Sequence, residues 1–220
     1  MSEKTTDIFI KTHMADRAYH RYCLDSINIF FKGHRKVVEV HGEHHNGYAH
    51  QMVVKCNADA YTDADLILFT DSDTLMIQPV TPESFMRDGK PMWFYTPWND
   101  GMLAHSGTRA WFDGMTEFFG VEPPAEFMRR QPFLIPREVL QGFRDFCIQK
   151  HGVTIDEYIL SRSQFSEYNC IGFYAWQHCP EKFSWINTDE ECPPPLVRQF
   201  WSRDPLSKNL AEIERILTPR

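Results

Sequence analysis

ADLILFTDSDT, from Ala64 to Thr74, is the stretch around which the chain is best read. Leu66 to Phe69 form an uninterrupted apolar run, the pattern of a strand covered on both faces. The next residues, Thr70-Asp71-Ser72-Asp73, are all polar. In an open α/β sheet, ligands collect beyond the carboxyl ends of the strands, so a buried strand delivers these carboxylates to the rim. Asp71 and Asp73 are two apart, and on an extended tip both project to one side. Hard oxygen donors there suit Mg²⁺ or Mn²⁺, which keep several waters and share the rest of their shell with substrate phosphates. A plain turn is the alternative. Asp63 and Asp65 have the same spacing but precede the apolar run, where they read as turn chemistry. Context rather than spacing sets Asp71 and Asp73 apart.

With 220 residues the chain suffices for one sizeable α/β domain. Asp and Glu number 30 against 23 Lys and Arg, a formal net charge of -7. That balance argues against a generally basic nucleic-acid binder, though not against a local basic groove. No stretch approaches the roughly 18 apolar residues of a membrane span. MSEKTTDIFIK lacks the apolar core of a signal peptide, so cytoplasmic residence is the default expectation. Cys23, Cys56, Cys147, Cys170, Cys179 and Cys192 are scattered without a C-x-x-C, which fits reduced thiols better than a disulfide framework.

Upstream, Asp7 to Thr12 reads as a first strand, about Ala15 to Phe31 as a crossover helix ended by Gly33, and Lys36 to Val40 as a second strand. This is a βαβ unit with a right-handed crossover. HGEHHNGYAH, His41 to His50, lacks metal-ligand spacing, and Gly42 with Asn46-Gly47 marks a polar loop. Gln51 to Tyr61 fits a short helix on which Gln51 and Lys55 share a face. Lys55 is a candidate for a diphosphate or nucleoside contact, with a solvated surface lysine as the alternative.

Downstream, Pro82 opens a short helix and Met92 to Pro97 form an aromatic strand. Trp98 and Asn99 leave that strand in a turn, where an aromatic ring can stack on a sugar or base or simply pack. Trp111 and Phe112 begin the next helix. FMRRQPFLIPR, Phe127 to Arg137, is the locally basic stretch. Its Arg129, Arg130 and Arg137 match phosphate oxygens in bidentate fashion, or form ordinary salt bridges. Pro136 opens an amphipathic helix closed by Gly152, and Thr154 to Glu157 has capping-box form. Phe165 to Trp176 reads as a buried helix with Glu167 and Asn169 near its amino end, where the helix dipole favours a carboxylate. Phe183 to Ile186 is a late strand. After Pro193-Pro194-Pro195 and a loop to Ser202, Ser207 to Leu217 form a closing helix with Leu210, Ile213 and Leu217 on one face.

In order, the Lys11-Thr12 strand exit, the helix with Tyr22 to Ile27, the Lys55…Asp59…Ala64-Asp65 lead-in, LFTDSDT and FSEYN resemble a glycosyltransferase of the GT-A fold. Met128-Arg129-Arg130, Pro136-Arg137, FSEYN and QFWS are similar to a group of bacterial and phage proteins placed among these transferases. The resemblance implies a single GT-A-like (Rossmann-like) three-layer α/β/α domain with a mixed, mostly parallel central sheet. Residues 1–100 would form the nucleotide-sugar half and 101–220 the acceptor side. It implies a DxD that holds Mn²⁺ or Mg²⁺ on the diphosphate of a nucleotide sugar, usually uridine-linked. Asp73 would ligate the metal, while Asp71 would reach ribose or metal-bound water.

Thr12, Lys55, Ser72, Arg129 and Arg130 are then donor-binding candidates, and Trp98 with Asn99 acceptor-binding candidates. Glu167 matches the acidic residue at the start of a later helix that serves inverting members as general base. If configuration is retained, Glu167 and Asn169 would flank the reacting sugar as polar stabilisers. The carboxyl-terminal His ligand that the family often supplies has no counterpart after His178, which implies weaker metal binding or a shell completed by water or by the loop from Gln199 to Asp204. The acceptor is open between a glycan and a hydroxymethylated DNA base tracked by the arginines. A Mg²⁺-dependent nucleotidyltransferase and a non-catalytic binding module are the competing classes. The first of these lacks its usual Gly-rich phosphate loop or first-strand D-x-D.

Overall fold

The protein's structure is a computed structural model that describes residues 4–42, 47–129, 131–162 and 164–218. It begins β1 (Thr6–Thr12), α1 (Arg17–Phe30), β2 (Val37–His41), α2 (Gly47–Cys56), β3 (Leu66–Phe69) and β4 (Thr74–Met76). β5 (Met86–Arg87), β6 (Lys90–Pro97), α3 (Asp100–Ala104), α4 (Ser106–Phe119), β7 (Ala125–Glu126) and β8 (Phe133–Pro136) follow. The chain closes with α5 (Arg137–His151), α6 (Ile155–Leu160), α7 (Glu167–His178), β9 (Ser184–Asn187), β10 (Val197–Gln199) and α8 (Leu206–Leu217).

The central sheet has the order β2-β1-β3-β8. β1 runs parallel to β2 and β3, and β8 joins β3 antiparallel, so the sheet is mixed and mostly parallel. Alternation along the strands sorts its side chains onto two faces. Ile8, Ile10, Leu66, Leu68 and Leu134 pack on one face with Cys23 and Ile27 of α1. Phe9, Ile67, Phe69, Phe133 and Ile135 pack on the other with residues of α2, α4, α5, α6 and α7. All four residues of β3 are buried, as a strand sandwiched between helical layers requires.

Two pairings were not legible in the sequence. β8 is an apolar run of four residues that reads as the approach to α5, yet it forms the sheet's antiparallel edge. β4 pairs antiparallel with β10, setting Thr74 opposite Gln199. Helix limits also move. α2 begins at Gly47, four residues before the expected Gln51, and stops at Cys56, with a 3-10 turn from Ala58 to Ala60. α7 begins at Glu167 rather than Phe165, which leaves Ser166 in extended backbone at its amino cap. α5 ends where Gly152 turns left-handed at φ 71, a conformation that costs glycine little.

β8 also divides the basic stretch. Its register runs from Phe133 beside Phe69 to Pro136 beside Leu66, and the Arg137 amide donates to the Asp65 carbonyl. Arg137 therefore lies at the amino end of β3, the end remote from Asp71, and at the opposite end of β8 from Arg129. No helix among the described residues is long and apolar enough to cross a membrane.

Candidate active site

Beyond Phe69 the chain does not stay extended. The Thr74 amide donates to the Asp71 carbonyl at 3.0 Å, closing a tight turn over Ser72 and Asp73. Asp71 and Asp73 consequently face different partners, contrary to the expectation that an extended tip projects both to one side. The half-buried Asp71 receives the Lys55 ammonium on Oδ1 at 2.9 Å and the Gln131 side-chain amide on Oδ2. Gln131 also accepts from the Asp71 amide at 3.2 Å. Burial pushes the Asp71 carboxyl up, but Lys55 and Gln131 outweigh burial and hold it below its ordinary value.

Lys55 is not a surface lysine. It is buried in α2, and its ammonium reaches both Asp71 and, at 3.0 Å, Oε1 of Glu167 in the first turn of α7. It also stands over the Tyr168 ring, 4.7 Å from the centroid. Burial works against its charge, yet Asp71, Tyr168 and Glu167 together keep its pKa well above the usual value. A buried cation between two carboxylates is costly to break by removing one partner, which fixes the three relative to one another.

Asp73 differs. Its Oδ1 accepts from the Gln199 amide at 3.2 Å and its Oδ2 from the Ser202 backbone N–H at 3.0 Å. Among the described residues no ammonium or guanidinium pairs with it. Burial first, and then the negative charge of Asp71, push its carboxyl up to about 6. Asp16, at the amino cap of α1, adds to that negative field and accepts from the Ser72 hydroxyl at 3.2 Å. A buried carboxylate without a counter-charge among the described residues, in the negative field of Asp71 and Asp16, fits a hard divalent cation. Among the described residues no group of three His, Cys, Asp or Glu side chains assembles into a metal cage. Such an ion would keep water or phosphate in the rest of its shell, as Mg²⁺ and Mn²⁺ do.

The remaining candidates scatter. Thr12 is buried at the end of β1, its hydroxyl unpartnered among the described residues. It lines a cleft of about 390 Å³ with Arg17, His20, Glu39 and His41. Asn169 is fully buried and its amide is engaged at both ends, accepting from the Phe127 N–H at 2.7 Å and donating to Ser166 Oγ at 3.0 Å. Arg129 pairs with Glu126 and leans on Met102, while Arg130 lies outside the described residues, as do Glu43 to Asn46 of the histidine-rich stretch. Trp98 packs edge-on against Phe112 at 5.5 Å, and Asn99 caps α3 by accepting from the Met102 N–H at 3.0 Å. Sequence reading missed Gln131, masked by the neighbouring arginines, and Asp16, which only the fold carries to Ser72.

No protein-family model matches the sequence, and no curated protein matches it either. Among solved structures, the galactosyltransferase LgtC, in complex with donor and acceptor sugar analogues, aligns with a TM-score of 0.53. That alignment covers 96% of this chain and 95% of LgtC at 10% identity. The glycosyltransferase GlyE of Streptococcus pneumoniae TIGR4 aligns at 0.49 and 11% identity, where this chain spans 62% of GlyE. At such identities likeness is one of architecture, and the architecture shared with LgtC is the GT-A-like α/β fold.

Proposed function

We propose that the protein is a metal-dependent glycosyltransferase that moves a sugar from a nucleotide-diphosphate sugar, a UDP-sugar by preference, to an acceptor hydroxyl. The observation that carries this reading is Asp73: a buried carboxylate at the carboxyl end of the central strand, lacking a cationic partner among the described residues and pushed up to about 6. Asp73, with Asp71 beside it, would hold Mn²⁺ or Mg²⁺. When bound, the ion supplies positive charge against the diphosphate that departs with the nucleotide.

The chain's own groups do the rest. Gln131 and Lys55 lock the Asp71 side chain, so its position does not wander as donor enters. Lys55 places positive charge between the strand tip and α7, where it stabilises negative charge that develops on the donor side. Glu167, held by the same ammonium, takes the acceptor hydroxyl's proton in the inverting course or flanks the sugar in the retaining one. Asn169 acts indirectly, tying the strap before Gln131 to the amino end of α7.

Melting with UDP and Mn²⁺ tests the donor site. Ligand at a hundredfold excess over its Kd stabilises by about 2.7 kcal/mol, a readable rise in Tm. Asp73→Ala is expected to remove that rise. No rise with any nucleoside diphosphate overturns the reading. A rise without release of UDP from any UDP-sugar reduces the protein to a binding module.

A further inference from the structure

On the α1 side of the central sheet, the exits of β1 and β2 hold side chains that sugar transfer leaves idle. The alternation that sends Ile8 and Ile10 toward α1 sends Thr12 there too. The parallel register sets Glu39 beside Ile10 and His41 beside Thr12, so both carry their side chains to the same face. Lys55 of α2 and Glu167 of α7 come from the helices packed on the opposite face. Thr12, Arg17, His20, Arg21, Glu39 and His41 line the cleft of about 390 Å³ between α1 and β2.

Two observations mark this cleft as a place for an anion. Thr12 is 2% exposed, and its hydroxyl finds no hydrogen-bond partner among the described residues. A buried hydroxyl left unpaired carries a desolvation cost that a ligand oxygen relieves. Arg17 and Arg21, four apart on α1, share one helix face, and neither guanidinium pairs with a carboxylate among the described residues. Two such forks side by side suit the oxygens of a tetrahedral oxyanion.

Glu39 decides which oxyanion. Its Oε2 lies 3.1 Å from Nε2 of the buried His20 and 3.5 Å from Nε2 of His41, and the two imidazole rings meet edge-on at 5.8 Å. Its other oxygen, Oε1, has no partner among the described residues. A carboxylate repels an oxyanion that has lost every proton, but accepts a hydrogen bond from one that keeps a proton. Sulfate has none to give near neutral pH, whereas phosphate does. One carboxylate against two guanidinium groups still leaves the cleft positive.

We propose that the cleft between α1 and β2 is a phosphate site, in which Arg17, Arg21 and Thr12 hold the oxyanion and Glu39 accepts a hydrogen bond from the oxygen that keeps its proton. Phosphate is taken and sulfate refused. The same chemistry serves free phosphate and the phosphate group of a sugar monoester.

Melting of the full chain at pH 6, where about half of a phosphate monoester keeps its proton, tests the site. Chelator is present, so that no metal at Asp73 contributes. Inorganic phosphate, glucose 1-phosphate and sulfate are compared at equal ionic strength. Phosphate in one of its two forms is expected to raise Tm by about 3 °C or more at tenfold excess over its Kd. Arg17→Ala and Arg21→Ala, both at exposed positions that leave the fold intact, are each expected to shrink that rise at least about twofold. Any general stabilisation by excluded anions persists in these variants and subtracts out. Glu39→Gln is expected to let sulfate act as phosphate does. A rise with inorganic phosphate alone identifies the free ion as the ligand, and a larger rise with glucose 1-phosphate identifies a sugar phosphate. No rise with either, or a rise that both arginine variants keep in full, overturns the site. Sulfate acting as strongly as phosphate on the wild type overturns the assignment to phosphate. The rise given by UDP with Mn²⁺ is measured apart, so the failure of one reading leaves the other standing.

Discussion

Asp71 and Asp73 are one residue apart from being neighbours, yet their surroundings give them opposite electrostatics. Lys55 and Gln131 hold Asp71 below its ordinary pKa, while Asp73 is pushed up to about 6. A carboxyl whose folded pKa exceeds its unfolded value contributes stability that is full below about pH 4 and lost as pH rises through about 6. In the metal-free protein, ionised Asp73 therefore works against folding at neutral pH, on the order of 3 kcal/mol. Asp73→Asn is expected to raise Tm at pH 7 in the presence of chelator and to flatten the pH dependence of Tm between 4 and 7. Melting scans across that range check both, and a lower Tm for the variant at pH 7 refutes the account. Mn²⁺ is expected to bind less well below pH 6, where the proton competes for the same oxygens. The acidic pair was legible in the sequence because an apolar run ended on it. Its partners were not, since Lys55 is 16 residues away, Gln131 60 and Gln199 126, and no local pattern records such contacts.

At the scale of elements, α7 sets Glu167, and what sets α7 is a near approach of backbone to side chain. A Cβ on Gly172 would lie 2.5 Å from Cβ of Phe127 and 2.9 Å from the ring of Trp93. Both neighbours are essentially inaccessible to solvent, and Trp93 is further fixed by its indole N–H donating to the Phe127 carbonyl at 2.8 Å. Alanine gains about 1 kcal/mol over glycine in a helix, but a clash with a neighbour that cannot move costs typically 1–3 kcal/mol, occasionally more. The clash wins. Gly172→Ala is expected to lower the urea midpoint, with a net loss of up to about 2 kcal/mol. Gly142→Ala in α5 makes the contrast, because it meets the hydroxyl of half-buried Tyr174, the far end of a side chain that can swing away. Its midpoint should move little. The helical periodicity of α1, α5 and α8 was readable from their own sequences. β8 and the β4–β10 pair were not, because runs of three or four residues carry no period and acquire their identity only from a partner strand.

Across the whole molecule, the last helix reaches the candidate site through a chain of packing. Ile213 of α8 is fully buried against Tyr19 of α1, Leu75 of β4 and Phe200. The Phe200 amide donates to the Asp73 carbonyl at 2.7 Å, and two residues later Ser202 binds the Asp73 carboxylate. Tyr19 fastens the far side of the loop, its hydroxyl donating to the Asp204 carbonyl at 3.0 Å. The apolar face of α8 was evident from sequence, whereas the loop it clamps, and so its bearing on Asp73, was not. Ile213→Ala removes part of that clamp and is expected to cost about 2–4 kcal/mol, the usual range for a buried Ile truncated to Ala. Loss of stability alone does not separate a clamp from ordinary core. Leu140→Ala supplies the comparison: Leu140 is equally buried but belongs to α5, which starts from the end of β8 remote from Asp71. The two variants should lose similar stability, yet Ile213→Ala alone should also shrink the Tm rise given by UDP with Mn²⁺. Equal rises in both, measured at matched ligand excess, would show that α8 supports the fold without steadying the residue on which the metal reading depends.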